Sequence, residues 1–532
     1  MPHHWGWVAA WAGLAVLPGL GCAFAAELPP AGQSWWSHVR FLADDRLEGR
    51  ATGSAGYREA ARYVEEQLRR AGAQPAGTAG YLQRVRFQSR TLVESQSSLT
   101  LVRDGLAMPL VIGDEATVSL RYGLTGQISA PLVFVGYGLT VPEENYDDFK
   151  DLDVRGKIVV ALAGNPPGIA SALRMHYGAT AERWKFLKRA GAVGLIVVQN
   201  PGSMEAPWER TKLLRVLPSL VLADPALQDA PDLPLLLSLN PASMDRLLAG
   251  SGYTFSEILA FADLGRPLPK FTLPVTLKAR LVFKTDTLES ANVVAVLPGR
   301  DPVLKNEYVV LSAHLDHLGV GEPVAGDRIY NGAMDNAAGV ATLIEAARRL
   351  QNRPPRRSVL FLAVCGEEKG LLGSRYYTRR PTVPANQLVA DLNLDMFLPL
   401  YPLRWLSVQG LEESNLEEPL RQAAEAEGVT LQSDPEPSRN GFIRSDQYSF
   451  VRAGVPALAF KFGYQSGSPE ERQQKEWLRT RYHAPSDDAA QFVDLEAADR
   501  FNRIIEEALL RIANQDERPQ WSANSFFKQF VE

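Results

Sequence analysis

Four short, mostly apolar runs recur in the second half of the chain, and three of them end directly on a residue that can bind a metal or carry a proton. Tyr308–Ala313 runs into His314-Leu-Asp316-His317, Ser358–Cys365 into Gly366-Glu367-Glu368, and Leu388–Leu394 into Asp395. Pro456–Phe460 is the fourth run, and Tyr482-His483-Ala-Pro-Ser-Asp487 follows beyond it. Runs of this length, apolar without alternation, read as strands buried on both faces. Helical periodicity separates them, over Asn336–Gln351 and later over Leu495–Ala513. Strand and helix alternate in this way from about Asn292 to Asn514, which predicts an α/β sandwich around a largely parallel sheet. In open α/β sheets ligands bind at the carboxyl ends of the strands. Here those ends carry His, Asp and Glu.

Each of these residues has an ordinary reading when taken alone. Glu367-Glu368 reads as a solvated helix start, Asp335 as a helix cap, His314 as a hydrogen-bonded core histidine, Asp395 as a turn residue and His483 as an exposed loop residue. Their coincidence decides against that. The chain has seven His, two of them in the first four residues, and three of the other five stand beside carboxylates at strand ends. Two imidazoles with Asp and Glu oxygens make a zinc ligand set. Five such ligands, one of them an Asp using both oxygens, make a bridged metal pair. In an extended turn, neighbouring side chains point opposite ways. One member of the Glu pair can therefore ligate while the other faces substrate as a general base. His317 is read as a neighbour of the site, as substrate-facing, or as having no part in it.

The ordered set His314-Leu-Asp316, Gly332-Ala-Met-Asp335-Asn-Ala-Ala-Gly339, Gly366-Glu367-Glu368, Asn393-Leu-Asp395-Met396 and Tyr482-His483-Ala-Pro-Ser-Asp487 resembles the co-catalytic zinc aminopeptidases of the M28 peptidase family. The resemblance spans roughly Asp44 to Asn514 and implies the three-layer α/β sandwich of the zinc exopeptidases. It implies two zinc ions: Asp335 bridging, His314 and Asp395 on one, Glu368 and His483 on the other. It implies Glu367 as general base, Tyr482 as the oxyanion donor, Asp316 as the acceptor that fixes the His314 tautomer, and a cis peptide between Asp335 and Asn336. Ser445-Asp446-Gln447 resembles a segment that more often ends in His, which leaves the role of that loop open. Peptides are the implied substrates. Relatives with other functions define the alternatives: a carboxypeptidase for acidic C-termini, which needs arginines of the insert facing the cleft; a glutaminyl-cyclase-like enzyme with one zinc; and a binding module, which should have lost ligands.

The middle of the chain has a different texture, with short β-rich runs broken by Gly and Pro. Asp153-Val-Arg-Gly156-Lys157-Ile-Val-Val-Ala and Arg189-Ala-Gly191-Ala-Val-Gly-Leu-Ile-Val resemble a protease-associated (PA) domain, implying a wall or lid of the cleft. Residues 26–96 are read as the N-terminal part of the peptidase domain, 97–278 as the PA-like insert, 279–514 as the catalytic domain and 515–532 as a tail that packs on the surface or frays. A helix from a Ser54 cap to about Ala71 buries Ala60, Ala61, Val64 and Leu68, and Leu47-Glu48-Gly49-Arg50 before it reads as a polar turn. A helix over about Ala181–Ala190 precedes a strand at Gly194–Val198, and Pro218 to Pro274 reads as looser.

Residues 1–25 read as an export signal, with the apolar run Val8–Leu20 and a small-x-small cleavage site at Ala23-Phe24-Ala25. The expected location is the periplasm or the extracellular space, with lipid attachment at Cys22 a lesser alternative. Cleavage would leave Cys365 alone, without an intramolecular disulfide partner. From Glu27 onward no run is long and apolar enough to span a bilayer. A net charge of −5 argues against a nucleic-acid partner.

Overall fold

The computed structural model describes residues 1–6 and 32–531 except Leu124 and Asn440. The expected signal run, its cleavage site and Cys22 lie outside the described residues. Among the described residues, no helix is long and apolar enough to cross a membrane.

The strands Ser358–Val364, Tyr308–His314, Leu388–Asn393 and Ala457–Phe462 lie side by side and parallel at the centre of a ten-stranded sheet. Their side chains alternate between two cores, as the period of a strand requires. Val309, Leu311, Ala313, Val359, Phe361 and Ala363 face one core, and Val310, Leu360, Leu362 and Val364 the other. The first core is closed by helices Gln33–Leu42, Ala55–Arg70, Ala338–Leu350 and Leu495–Asn514. The second is closed by Leu372–Arg379, Gln447–Val451 and the C-terminal residues Trp521 and Phe527. Helices on both faces of a mainly parallel sheet give the expected three layers. Helix Ala55–Arg70 begins as read: the Ser54 hydroxyl accepts the Tyr57 N–H, and Ala60, Ala61, Val64 and Leu68 are buried.

A second sheet of eight strands lies wholly within Ser98–Arg280 and has its own core. Its Ile158–Leu162 and Gly194–Val198 strands run parallel. The stretch expected to be loose holds the strands Ser219–Leu222, Leu236–Leu239 and part of Phe271–Arg280, and two short helices. Ser219–Leu222 leaves the second sheet altogether and pairs antiparallel with Leu82–Leu92 at the edge of the large one. Four-residue strands among prolines carry too little period to be read locally.

The tail is part of the second core. Trp521 donates its indole N–H to the Gly454 carbonyl at 2.9 Å, and Phe527 is fully buried against Phe442 and Trp521. Phe527→Ala is expected to lower unfolding free energy by roughly 3–5 kcal/mol. Phe492→Ala, at a ring that is 68% exposed, should change it by no more than about 0.5 kcal/mol. Urea titration of the two variants checks the contrast.

Candidate metal centre

The parallel strands deliver their terminal residues to one end of the sheet. His314 ends its strand, Asp395 lies two residues past Asn393, and Glu367-Glu368 follow the strand ending at Val364. Asp335 arrives separately, in a tight turn over Ala333–Ala337 that leads into helix Ala338–Leu350. The Asp335–Asn336 peptide is cis, as expected. His483 comes from the loop after helix Pro469–Thr480.

The two oxygens of Asp335 are divided between two imidazoles. Oδ1 lies 3.2 Å from His314 Nε2, and Oδ2 lies 3.3 Å from His483 Nε2. His314 Nε2 is also 3.4 Å from Asp395 Oδ1, and His483 Nε2 is 3.2 Å from Glu368 Oε2. These separations are too long for the charge-assisted hydrogen bonds that such pairs would otherwise make, at about 2.7–2.9 Å. They match two ligands held about 2.0–2.1 Å from one tetrahedral ion, whose edge is about 3.3–3.4 Å. Asp395 Oδ1 is buried and accepts no hydrogen bond of ordinary geometry. Donor spacing and this unsatisfied oxygen both fit a pair of cations, one on each side of Asp335. His314, Asp335 and Asp395 also form one compact donor group; Glu367 and Glu368 form another with His314, and His317 one with Asp335 and Glu368.

The tautomer of His314 is set by its other nitrogen. Nδ1 lies 3.0 Å from the backbone carbonyl of Asp316. A carbonyl only accepts, so Nδ1 carries the proton and Nε2 offers its lone pair to the site. The accepting atom of Asp316 is its backbone carbonyl and not its carboxylate. That carboxylate is turned away, accepting the Thr52 hydroxyl at 2.9 Å and the Glu367 N–H at 3.1 Å. It therefore fixes the Glu367 backbone. A strand end leaves the carbonyl and side chain of one residue pointing in different directions, and sequence cannot tell which will face the histidine.

Several supporting residues were read otherwise or not at all. The Asp487 carboxylate accepts the N–H groups of Met334 and Asp335, at 2.9 and 3.0 Å, and the Gln491 amide at 2.6 Å. The Asn336 amide donates to the Leu394 carbonyl at 2.7 Å, tying the Asp335 turn to the approach of Asp395. Gly332 is needed in that turn: its φ is +63°, and a Cβ there would lie 2.5 Å from the His317 ring. His317 Nδ1 is 2.7 Å from Glu368 Oε1, which orients Glu368 and leaves its other oxygen for His483. Gln447 accepts from the Asn393 amide at 2.7 Å and donates to the Phe442 carbonyl at 2.9 Å, fixing the strand that presents Asp395. The polar turn ending at Arg50 is not solvated. Arg50 is fully buried and donates to the carbonyls of Leu42, Leu315, Asn331 and Gly332, tying the residue after His314 to the turn that leads to Asp335.

Charge in the centre is sharply partitioned. Burial would raise the Glu368 carboxyl, but His483 and His317 outweigh it and hold Glu368 well below the usual carboxylate range. Burial likewise opposes, and Lys461 and His314 overcome it, to keep Asp395 ionised. Glu367 goes the other way. Burial, reinforced by Glu368, Asp446 and Asp395 against the pull of His314, lifts it well above the ordinary value. Tyr482 stacks on the His483 ring with centroids 3.9 Å apart, and both line the cavities that meet at the centre.

Residues 292–509, which carry every ligand candidate above, match the family model for peptidase family M28. The chain carries an M28 peptidase domain. Among curated proteins the chain is similar to aminopeptidase YwaD of Bacillus subtilis (strain 168), at 24% identity over 239 residues, covering 43% of this chain and 46% of that one. It is also similar to a probable zinc metalloprotease of Pyrenophora teres f. teres (strain 0-1), at 33% identity over 118 residues, covering 22% and 24%. The matches thus span between about a quarter and a half of these relatives' lengths. The similar solved structures include an aminopeptidase from Aneurinibacillus sp. strain AM-1, with a TM-score of 0.55 at 20% identity over 92% of this chain and 95% of that one. A zinc aminopeptidase from Bacillus subtilis gives a TM-score of 0.51 at 20% identity over 92% and 97%. That likeness shows the fold alone, an α/β architecture of the zinc-exopeptidase type.

Asp487→Asn should weaken metal binding by about 10–100-fold while the protein stays folded. The amide has one acceptor oxygen for the two N–H groups that orient Asp335. Competition with a chelating dye, alongside a thermal melt, reads the two effects separately.

Proposed function

We propose that this protein is an exported aminopeptidase that removes N-terminal residues from peptides with two zinc ions per chain. The observation that carries the reading is the division of the Asp335 oxygens between His314 and His483, each at ligand-pair spacing and each completed by another carboxylate. The names of the similar proteins, aminopeptidases and zinc metalloproteases, support the same reaction class. Export rests on the leader sequence.

Two cavities meet at the centre. One, of about 140 Å³, has Met396, Leu398, Phe462 and Leu478 in its wall, and the other is a cleft of about 1630 Å³ reached past Glu367, Glu368 and His483. The difference in size supports an exopeptidase: one side chain enters the pocket while the remaining peptide leaves along the cleft. Zinc, when bound, would polarise the scissile carbonyl and make a water a competent nucleophile near neutral pH. Glu367 takes the proton of that water and returns it to the departing amine. Its raised carboxyl, held by burial and neighbouring carboxylates, suits both directions of transfer. His314, Asp395, Glu368 and His483 would hold the cations, with Asp335 offering one oxygen to each side. Tyr482, stacked on His483, donates its phenol O–H to the carbonyl oxygen as that oxygen gains charge. The lobe over 97–278 serves as a PA-like wall of the cleft. Convergence of both imidazoles and three carboxylates supports two metals over the single-zinc cyclase, and catalysis over a binding module.

Glu367→Gln should lower turnover by a factor on the order of 10²–10⁴ and leave two zinc ions bound. Glu368→Gln should instead lose zinc on mild dialysis, because it removes an anionic ligand. Elemental analysis beside release of leucine from free and N-blocked peptides separates these outcomes. One zinc in active wild-type protein, or cleavage of the blocked peptide from its C-terminus, would sink the reading.

A further inference from the structure

The walls of the large cleft carry a charge that the reaction does not need. The chain as a whole is acidic. Among the described residues lining the cleft, however, basic side chains outnumber acidic ones. The excess begins at the catalytic loop. Arg121 of the inserted lobe donates to the Glu368 carbonyl at 2.6 Å, and Arg375 donates to the Gly370 carbonyl at 2.6 Å. Lys369 stands between them in the chain and is buried. The Glu368 carboxylate does not answer them, because His317 and His483 hold it. Among the described residues, Arg121 and Lys369 make no ion pair, and Asp229 pairs with both Arg375, at 3.0 Å, and Arg452, at 3.5 Å. Glu182 also pairs with Arg452, at 3.6 Å, so Arg121 and Lys369 are the cations left without a matching carboxylate, and an arriving anion would answer their charge. Further out along helix Thr180–Arg189, Lys185 and Lys188 are paired with Glu182 and Asp232, and Arg189, among the described residues, makes no ion pair.

We propose that the cleft selects peptides that carry carboxylates downstream of the bond to be cut, with Arg121 and Arg375 as the residues that read them. The inference deepens the aminopeptidase reading and rests on it for the direction in which the peptide lies. With the N-terminal side chain in the small pocket, the next residues pass Glu368 and enter the field of Arg121 and Arg375. A carboxylate there can come from an acidic side chain or from the C-terminus of a short peptide, and a guanidinium fork accepts either.

The test is binding to the zinc-loaded full chain, followed by fluorescence anisotropy. The probes are peptides whose first peptide bond is reduced and cannot be cut: Leu-Ala-Glu-Glu and Leu-Ala-Lys-Lys with amidated ends, and Leu-Ala-Ala-Ala with a free or amidated end. At low salt the Glu probe should bind at least about tenfold more tightly than the Lys probe, an ordinary size for a focused cleft field. High salt should shrink the ratio. Tighter binding of the free-ended Ala probe than of its amide would assign the α-carboxylate as a second source. Arg121→Glu should abolish the ratio and Arg121→Lys should keep most of it. The salt titration of the wild-type protein reads the same field without any substitution. Equal affinity of the Glu and Lys probes at low salt overturns the proposal. Leucine release from cleavable versions is measured separately. Hydrolysis with no charge preference removes this inference alone. A charge preference without hydrolysis of any free-ended peptide removes the aminopeptidase reading and leaves the anionic cleft standing.

Discussion

Asp335 is buried and keeps its two oxygens turned toward different histidines, and the rest of the centre is arranged around that division. A buried carboxylate is costly unless its charge is answered. Here Glu367, Glu368 and Asp395 crowd the same space, so the imidazoles alone cannot answer it. The 3.2–3.4 Å spacings on both sides of Asp335 fit the cations that the proposed function places there, which would answer the remaining charge. The turn that aims Asp335 must then be rigid. Asp487 takes its N–H groups, Asn336 ties it to Leu394, and Arg50 takes the carbonyls of Asn331 and Gly332 just before it. None of these touches a metal position, yet each fixes an atom that does or its immediate neighbour.

The fold supplies this arrangement economically. Parallel strands put all their carboxyl ends on one side, so three segments distant in sequence bring His314, Glu368 and Asp395 to one place, where the Asp335 turn and the His483 loop join them. Because both faces of the sheet are covered, the strands are apolar throughout, and polar residues at their ends stand out. Ser312, Asp391 and Asn393 are among the exceptions inside the strands. The Ser312 hydroxyl bonds to Asp391 at 2.8 Å and to Asn393 at 3.0 Å, and the Asn393 amide reaches on to Ser445 and Gln447 at 2.9 and 2.7 Å, which secures the strand end before Asp395.

That contrast explains what could be read from sequence. His314, Glu368 and Asp395 stood out as candidates because each follows the end of an apolar run, and Asp335 and His483 through the ordered motif set and the scarcity of histidines. The α/β layering was legible from the same runs. Arg50 was not, since its four carbonyl partners come from segments far apart and a Leu-Glu-Gly-Arg stretch has the composition of any exposed turn. Asp316 meets His314 through its carbonyl rather than its carboxylate, a distinction of atom that the residue type alone does not carry. His317 was undecided because its partner, the second oxygen of Glu368, is defined only once His483 has taken the first. Ser219–Leu222 was missed because its pairing partner lies in the other half of the architecture.

The inserted lobe is mechanically part of the centre, although it offers none of the five ligands. Arg210 donates to the carbonyls of Leu478, Arg479 and Tyr482 at 3.5, 2.6 and 3.1 Å, at the C-terminal end of helix Pro469–Thr480 and directly before His483. A cation at that end satisfies carbonyls the helix leaves open and complements its dipole. Glu205 grips Arg444 with two bonds of 2.8 Å at the edge of the small pocket. Arg121 holds the Glu368 carbonyl on the opposite side. The lobe thus contacts the two segments that carry Glu368 and His483, the same pair that shares one side of Asp335. An enclosing wall that only restricted access could be anchored anywhere along its rim. This lobe is bonded to the backbone beside Glu368 and His483, so its seating and the placement of those two side chains share the same hydrogen bonds.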